Sequence, residues 1–324
     1  MAAKNSYTFV LGPDQQDSLE QLLAGGNYLP VEVPHTRAAV EADHCRVMLY
    51  TSGKCLVQGK GATDWVQFIL EPMVLMEART GYEELLNPAA FSPHMGVDES
   101  GKGDFFGPMV IAAVFSDEDL ARKFNEMGVK DSKAIGSDKK ARGLDRDLRK
   151  LLDKKFALVT IGPQAYNRLY LKMRSVNNIL AWGHARAIEN LLDAVPNCTR
   201  AVADQFGPKR QIEQALMKKG RSIELEQRPK AESDPAVAAA SILARATFLR
   251  ALDKMKDQYG QDFPKGASLK VREEAETLVK TKGPEVLLET AKCHFRTTDQ
   301  VLAAAGHHRA ELGPEGQAVS KSRV

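Results

Sequence analysis

Residues 96–110, which read GVDESGKGDFFGPMV, restrict the fold more than any other part of the sequence. Two adjacent acids, Asp98 and Glu99, stand directly before a loop with three glycines and a lysine, and an apolar run follows the loop. Carboxylates repel one another and glycines cost backbone entropy, so such a stretch needs a structural reason. We predict a strand over 94–98, a glycine loop and a second strand over 109–115. The two acids then lie at a strand end, where ligand-binding clefts open in α/β sheets.

The sequence after this hairpin alternates between strand-like and helix-like segments. We predict further strands at 155–161, 199–204 and 221–227, and a long helix over 175–195. Hairpin strands followed by strand–helix alternation favour a mixed sheet covered by helices. Residues from 304 onward have the composition of a disordered tail.

The first part of the chain has the pattern of a small α+β unit. Its predicted elements are a strand at 7–11, a helix at 14–26, a hairpin at 45–61 with its turn at 51–53, and a second helix at 62–76. On the second helix Trp65, Phe68 and Ile69 fall on one face, which predicts that all three pack in the core.

Prolines, an asparagine and a serine within 87–93 mark a linker, and we place the domain boundary near Ser92. The predicted organisation is a small α+β domain over 1–80, a linker over 81–93, a larger domain over 94–303 and the disordered tail over 304–324.

Charge is distributed unevenly between the two parts. Residues 1–93 carry six Lys/Arg and eleven Asp/Glu, a net charge of −5, whereas the whole chain has a net charge of +3. The remainder therefore has a net charge of +8, and a polyanion would be attracted to it first. A solvated surface with a mild basic excess is the simpler explanation of the same numbers.

Composition also bears on the compartment. The four cysteines lie far apart with no CxxC pair, which argues against a zinc ribbon or a disulfide framework. We find no run long and apolar enough to span a bilayer. The N-terminus lacks the charged and then apolar segments of a signal peptide. We therefore expect a cytoplasmic monomer without a membrane partner.

Two more acids stand where they could join the first pair. Asp204 ends the predicted strand at 199–204, and Glu232 precedes a helix of small residues, at its positive end. Considered alone, Asp204 could simply initiate a turn, and Glu232 could simply be an acid that precedes a helix cap. Together with Asp98 and Glu99 they would form a pocket that requires cations. Two Mg²⁺ ions suit such ligands, and two-metal sites cleave phosphodiesters.

The segments beside these acids suit a nucleic-acid backbone. Asp104 follows Gly103 and the chain then enters a strand, so the glycine loop is not a nucleotide P-loop. It can instead let backbone N–H groups approach a ligand, with Lys102 as a nearby cation. Ser132 and Lys133 offer a hydroxyl and an ammonium that suit a phosphate, although a solvated loop is the simpler alternative.

Several strings in fixed order resemble one family over nearly the whole chain. They are DESGKGDFFGP at 98–108, KDSK at 130–133, VADQF at 202–206, KAES with AVAAASILAR at 230–245, and AKCHF at 291–295. The chain is similar to ribonuclease HIII, a bacterial family of type 2 ribonucleases H.

The resemblance implies an α/β ribonuclease H-like fold, a mixed five-stranded sheet with helices, preceded by a small α+β TATA-binding-protein-like domain that grips the substrate. It implies endonucleolytic cleavage of the RNA strand of RNA–DNA hybrids with Mg²⁺ or Mn²⁺, leaving 5′-phosphate and 3′-hydroxyl ends. The implied catalytic residues are Asp98, Glu99, Asp204 and Glu232, of which the first three are metal ligands. The implied substrate-binding residues are Gly101, Lys102, Gly103, Ser132 and Lys133.

Two other functions remain open at this point. A resolvase or transposase of the same superfold would share the acids but act on DNA, and the glycine loop and the Ser132–Lys133 pair favour a reader of 2′-hydroxyls instead. A non-catalytic binding module would gain nothing from clustered acids facing phosphates. In the first domain, the net charge of −5 opposes a nucleic-acid role, although Lys54 and Lys60 could still form a basic face.

The sister family, ribonuclease HII, suggests a limit on the substrate. There a tyrosine in a motif like GYGT supports cleavage beside a single ribonucleotide embedded in DNA. Our alignment places residues 266–268, GAS, at that point, and Tyr259 lies seven residues earlier. Ala267 and Ser268 are too small to stack on a sugar as an aromatic ring does. We expect cleavage to require several consecutive ribonucleotides.

Overall fold

The computed structural model of the protein describes residues 5–76, 88–205, 207–216, 220–229 and 231–319. The chain divides into two compact units, Met1–Phe91 and Ser92–Val324, each with its own sheet and core. Residues 81–87 of the predicted linker lie outside the described residues, and the rest of it contains the short turn Pro88–Ala90.

The described part of the first unit contains one antiparallel sheet. Its strands are β1 (Ser6–Val10), β2 (Leu29–Pro30), β3 (Thr36–Ala42), β4 (Cys45–Tyr50) and β5 (Lys54–Gly59). They pair in the order β1–β5–β4–β3–β2. Helix α1 (Pro13–Gly25) and helix α2 (Ala62–Trp65), which continues as a π-helix over Val66–Leu75, pack their apolar residues against one face of this sheet.

The predicted second helix differs in one respect that affects its core face. Trp65 is buried and Ile69 is half-buried, but the side chain of Phe68 is 67% exposed. The prediction that Phe68 packs in the core is therefore wrong. The wider turn of the π-helix shifts residues off the face that α-helical spacing assigns to them.

Strands β2 and β3 have a weak sequence signal. Strand β3 contains three alanines, and its pairing with β4 shifts register between Thr36 and Ala38. Alanine has low β propensity and a bulge breaks the two-residue alternation, so the pattern of this strand is hidden.

The second unit contains a mixed five-stranded sheet within its described residues. Its strands are β6 (His94–Ser100), β7 (Met109–Ser116), β8 (Phe156–Ile161), β9 (Arg200–Asp204) and β10 (Glu224–Arg228). The order is β10–β9–β6–β7–β8, with β10, β9 and β6 parallel and β7 antiparallel to both neighbours.

Helices cover both faces of this sheet. They are α3 (Glu118–Glu126), α4 (Asp138–Leu152), α5 (Pro163–Met173), α6 (Val176–Leu192), α7 (Lys209–Ala215), α8 (Pro235–Tyr259), α9 (Leu269–Lys282), α10 (Val286–Thr290), α11 (Thr297–Ala304) and α12 (Gly313–Gln317). Odd-numbered residues from 109 to 113 on β7 pack with α6, and even-numbered residues from 110 to 114 pack with α8. The two-residue period of the strand thus builds two cores on one sheet.

Helix α8 lies against the middle of the sheet because small residues allow a close approach. A Cβ on Gly96 of β6 would lie 2.1 Å from the backbone nitrogen of Val237. By length and composition α8 could cross a membrane, so the prediction that no run is apolar enough is wrong for this segment. It is nevertheless a core helix, since 72% of its most apolar window is buried inside the unit.

The predicted disordered tail is also wrong for residues 304–319, because Ala304 is the last residue of α11 and ordered elements follow it. A short 3-10 turn, Arg309–Leu312, leads into α12, and Leu312 and Ala318 are buried. The guanidinium of Arg309 donates to the carbonyl oxygens of Cys293 and Gly316 at 2.7 and 2.6 Å. A few buried anchors therefore order a segment whose composition is mostly polar.

Candidate active site

A cleft of about 510 Å³ opens at the carboxyl ends of β6 and β9. Val97 pairs with Ala203 in the parallel ladder, so Asp98 and Asp204, the next residue on each strand, are neighbours. The cleft brings together every predicted site residue except Glu232. These residues are Asp98, Glu99, Gly101, Lys102, Gly103, Ser132, Lys133 and Asp204.

Asp98 is a crowded carboxyl group. Burial and the adjacent charge of Glu99 raise its pKa well above the ordinary value. The backbone N–H of Glu99 donates to Asp98 Oδ1 at 2.8 Å and opposes this rise. A carboxyl that is crowded in this way is stabilised by any cation that enters the cleft.

Glu99 lies beside a buried histidine that the sequence did not single out. His184, on α6, donates from Nε2 to Glu99 Oε2 at 3.0 Å, and Lys102 Nζ lies 3.6 Å from Oε1. Burial alone would raise the pKa of Glu99, but the hydrogen bond and charge of His184, together with Lys102 and Lys133, hold it below the ordinary value. Glu99 is therefore kept as a carboxylate of fixed orientation.

The Ser132–Lys133 pair sits on a short turn, Ser132–Ala134, that is fixed at several points. Asp131 accepts from the Lys133 N–H at 3.1 Å, and the Ser132 N–H donates to Ser241 Oγ at 3.0 Å. Arg245 of α8 donates to the carbonyl of Ser132. Burial would lower the pKa of Lys133, but Asp131 and the carboxylates of the cleft raise it, so the ammonium form is favoured.

Glu232 is the one predicted acid that does not line the cleft. It lies on the short turn Ala231–Ser233, directly before α8, and does not line the cleft. Asp234 caps the helix, accepting from the Ala236 N–H at 2.9 Å. The charge of Glu232 still acts on Lys133, as do those of Asp98 and Asp204. Lys133 therefore links Glu232 electrostatically to the cleft.

The chemistry of these donors fits a hard divalent cation. Among the described residues, no three His, Cys, Asp or Glu side chains converge closely enough to form a cage. Mg²⁺ does not require one, because it usually binds one or two carboxylates and completes its shell with waters and substrate phosphates. Burial and the charge of Glu99 both disfavour the ionised form of Asp98, and such a cation would offset both effects.

Two cations of the cleft were missed by sequence reasoning. Arg245 Nη2 and Lys265 Nζ both donate to the carboxylate of Asp138, at 2.6 and 2.9 Å. Burial would raise the pKa of Asp138, but these two partners lower it below the ordinary value. Each residue alone resembles an ordinary surface charge, and only the tertiary fold shows that Arg245 and Lys265 line the cleft.

The glycine loop has a shape that requires its first glycine. Gly101 has a φ of +91°, and a Cβ there would lie 2.2 Å from the carbonyl oxygen of Pro108. Asp104 Oδ1 accepts from the Gly266 N–H at 2.6 Å, and the Phe105 N–H donates to the Gly266 carbonyl at 2.9 Å. The loop over 266–268 is therefore bound directly to the glycine loop.

The sheet order, the acids at the ends of β6 and β9 and the neighbouring glycine loop define an enzyme of the ribonuclease H class, a metal-dependent hydrolase. Residues 95–298 match the family model described as Ribonuclease HII. The chain belongs to the ribonuclease HIII family, the branch to which its curated relatives are assigned.

Individual relatives match over most of their length. The ribonuclease HIII of Chlamydia pneumoniae is 37% identical over 302 residues, which cover 92% of this chain and 98% of that protein. The ribonuclease HIII of Protochlamydia amoebophila (strain UWE25) is 38% identical over 272 residues, 84% and 88% of the two chains. A crystal structure of Bst-RNase HIII in complex with Mn²⁺ has a TM-score of 0.62 and 28% identity, and the match covers 93% and 99% of the chains. The predicted family and fold class are confirmed.

Proposed function

We propose that this protein is a cytoplasmic endonuclease that hydrolyses the RNA strand of RNA–DNA hybrids and leaves 5′-phosphate and 3′-hydroxyl ends. One observation carries the proposal: a single cleft joins three carboxylates, a glycine loop and a Ser–Lys pair. Membership of the ribonuclease HIII family supports the same activity.

Asp98, Glu99 and Asp204 are proposed to hold two Mg²⁺ or Mn²⁺ ions, with Glu232 completing the catalytic acids. The bound cations would activate the attacking water and neutralise charge on the leaving oxygen. The Mn²⁺ complex of Bst-RNase HIII supports this assignment. His184 fixes the carboxylate of Glu99, so that this ligand is oriented before any cation arrives.

The glycine loop and the Ser–Lys turn are proposed to bind the RNA strand from two sides. Gly103 leaves its backbone open to close approach, which suits contact with 2′-hydroxyls. Gly101 gives the loop its turn, and Lys102 adds a positive charge. The Ser132 hydroxyl and the Lys133 ammonium suit a neighbouring phosphate. Arg245 and Lys265 also line the cleft, where both are held by the carboxylate of Asp138.

The first unit is proposed to bind the hybrid through the face of its sheet that is turned away from α1 and α2. Val47 and Val57 point into the core, so by alternation Arg46, Lys54 and Gln58 point away from it. In the full chain, replacing both Arg46 and Lys54 with glutamine should weaken hybrid binding. If each contacts one phosphate, the slope of log affinity against log salt should decrease by about two. Equal slopes in the variant and the parent would place the hybrid elsewhere.

The decisive experiment uses the full chain on matched substrates. The wild-type protein should cut an RNA–DNA hybrid only when Mg²⁺ or Mn²⁺ is present, and it should leave duplex DNA of the same sequence intact. Asp98→Asn, which removes a ligand charge with little change of shape, should abolish cleavage while hybrid binding persists. Equal cleavage of duplex DNA would favour a resolvase or transposase, and binding without metal-dependent cleavage would favour a pure binding module.

A further inference from the structure

Lys292 is a buried cation outside the catalytic cleft. Its side chain is fully buried, with 0% exposure. The Nζ atom donates to the carbonyl oxygens of Gly107 at 2.7 Å, Asp104 at 2.8 Å and Phe106 at 3.2 Å. An ammonium has three N–H donors, so all three are used, and all on one loop.

Burying an ammonium group costs free energy unless its hydrogen bonds offset that cost. Full burial lowers the pKa of Lys292 to about 7, and the nearby charge of Asp104 opposes that shift. The three carbonyl oxygens also favour the ammonium, because a neutral amine has too few N–H groups for them. An apolar side chain of similar length would fill the same space without the cost of burying a charge. What only the lysine supplies is a common donor for three backbone acceptors.

The backbone around Lys292 is fixed to the same loop and to α5. The Lys292 N–H donates to the Phe105 carbonyl at 2.8 Å, and the Gly107 N–H donates to the Thr290 carbonyl at 2.9 Å. Asn167 of α5 braces this segment from behind, because its amide group donates to the Ala291 carbonyl at 3.0 Å and accepts from the Cys293 N–H at 2.9 Å. The ammonium therefore sits at a rigid point.

The loop that it holds is the one that carries Gly101, Lys102 and Gly103. Glycine-rich backbone has many accessible conformations, so its shape must be imposed by its surroundings. Residues 104–107 follow immediately and are anchored through their carbonyl groups to Lys292. Fixing this half of the loop limits the conformations of the half that lines the cleft.

We propose that Lys292 is a positioning residue, which gathers three carbonyl groups of the glycine loop and so fixes the loop in the shape that meets the RNA strand. The proposal rests on the hybrid-cleaving function proposed above. It predicts an effect on substrate recognition, since Lys292 has no hydrogen bond or ion pair with any of the four proposed catalytic acids.

The test compares Lys292→Met with the wild-type protein in the full chain. Methionine keeps the length of the side chain and removes all donors. The KM for an RNA–DNA hybrid should rise roughly tenfold, the equivalent of about one hydrogen bond, while kcat stays near the wild-type value. Hydrogen exchange should show lost protection at the Phe105 and Gly107 amides and unchanged protection within α8.

Two further variants keep the test decisive. Leu302→Ala removes buried apolar contacts on α11 without removing a hydrogen bond to the loop, so it should lower stability and leave KM unchanged. Asn167→Ala keeps the ammonium but removes the hydrogen bonds that brace its segment. It should raise KM and reduce amide protection in the loop, each by less than Lys292→Met does. If Lys292→Met does not fold, Asn167→Ala decides the question.

The outcomes separate this inference from the proposed function. A folded Lys292→Met protein with wild-type KM and wild-type loop protection would overturn the positioning role. A wild-type protein that fails to cut hybrids would overturn the proposed function, and hydrogen exchange at the loop would then decide the role of Lys292 alone.

Discussion

Replacing Gly96 with alanine tests how closely the catalytic strand and α8 depend on each other. The added Cβ would lie 2.1 Å from the Val237 nitrogen and 2.2 Å from the Ala236 carbonyl carbon, where ordinary contacts begin at 3.4 Å. Both neighbours are backbone atoms that cannot rotate away, so the strand and the helix must separate by about 1.3 Å. Overpacking of this kind costs about 3 kcal/mol.

The assay is urea unfolding of the second unit. The chain has two tryptophans, so in a Trp65→Phe background the fluorescence of Trp182 on α6 reports this unit alone. With an m-value of about 3 kcal/mol per molar urea, the midpoint should fall by about 1 M. Asp98 lies two residues after Gly96 on the same strand. Displacement of that strand by about 1 Å should therefore also reduce kcat, by roughly 100-fold.

The matched control is Gly143→Ala on α4. No atom lies within 4 Å of a Cβ built at Gly143, so the added methyl meets open space. There alanine should stabilise the helix by about 0.5–1 kcal/mol. If Gly96→Ala unfolds at the same urea concentration as the parent, β6 and α8 can accommodate a methyl group at residue 96. The prediction of a lower urea midpoint is then refuted.

Three more predictions concern other parts of the second unit. The carboxylate of Asp145, 2% exposed, accepts from Arg250 at 2.6 Å and Arg149 at 3.0 Å. Asp145→Asn should lower the free energy of unfolding by about 2 kcal/mol, because the two arginines stay partly solvated, and an unchanged urea midpoint would contradict this. Burial and the charges of Lys292 and Arg309 lower the pKa of His294 to about 3 from 6.5. Between pH 6.5 and 3 the unfolded chain binds a proton at His294 that the folded chain does not, so the free energy of unfolding decreases as the pH is lowered. His294→Phe should reduce that loss by up to about 1.4 kcal/mol per pH unit, measured by urea titrations at pH 6.5 and 4.5. Equal losses in the variant and the parent would exclude the effect. Finally, a single ribonucleotide embedded in duplex DNA should be cut far more slowly than a full hybrid. Tyr259, the tyrosine nearest in sequence to residues 266–268, does not line the cleft, and its hydroxyl donates to Glu289 at 2.7 Å. Comparable cleavage rates on the two substrates would contradict this prediction.

The sequence predicts much of the second unit because its signals are local. Asp204 ends an apolar strand and Asp98 lies two residues before the end of another, and strands with hairpin and alternation patterns define their own positions. Their proximity follows once the two strands are neighbours, as the ladder of β6 and β9 makes them. The roles of these residues stay predictions until the variants are measured.

The partners of these residues could not be predicted in the same way. His184 lies 85 residues from Glu99, and Lys292 lies 188 residues from Asp104. No periodicity links such pairs, because each contact depends on the register between a helix or loop and the sheet. Phe68 and the ordered segment after residue 304 show the same limit, since a widened helix and a few buried anchors override local pattern.

The parallel pairing of β6 with β9 has a consequence for folding during synthesis on the ribosome. The two strands are neighbours in space, yet β7, β8 and helices α3 to α6 separate them along the chain. At a synthesis rate of roughly 5–20 residues per second, Asp204 leaves the ribosome roughly 5–20 seconds after Asp98. Closing so long a loop is also entropically costly before the contacts form. The first unit can therefore fold while the chain is still growing, whereas the cleft can be assembled only after β9 has been synthesised.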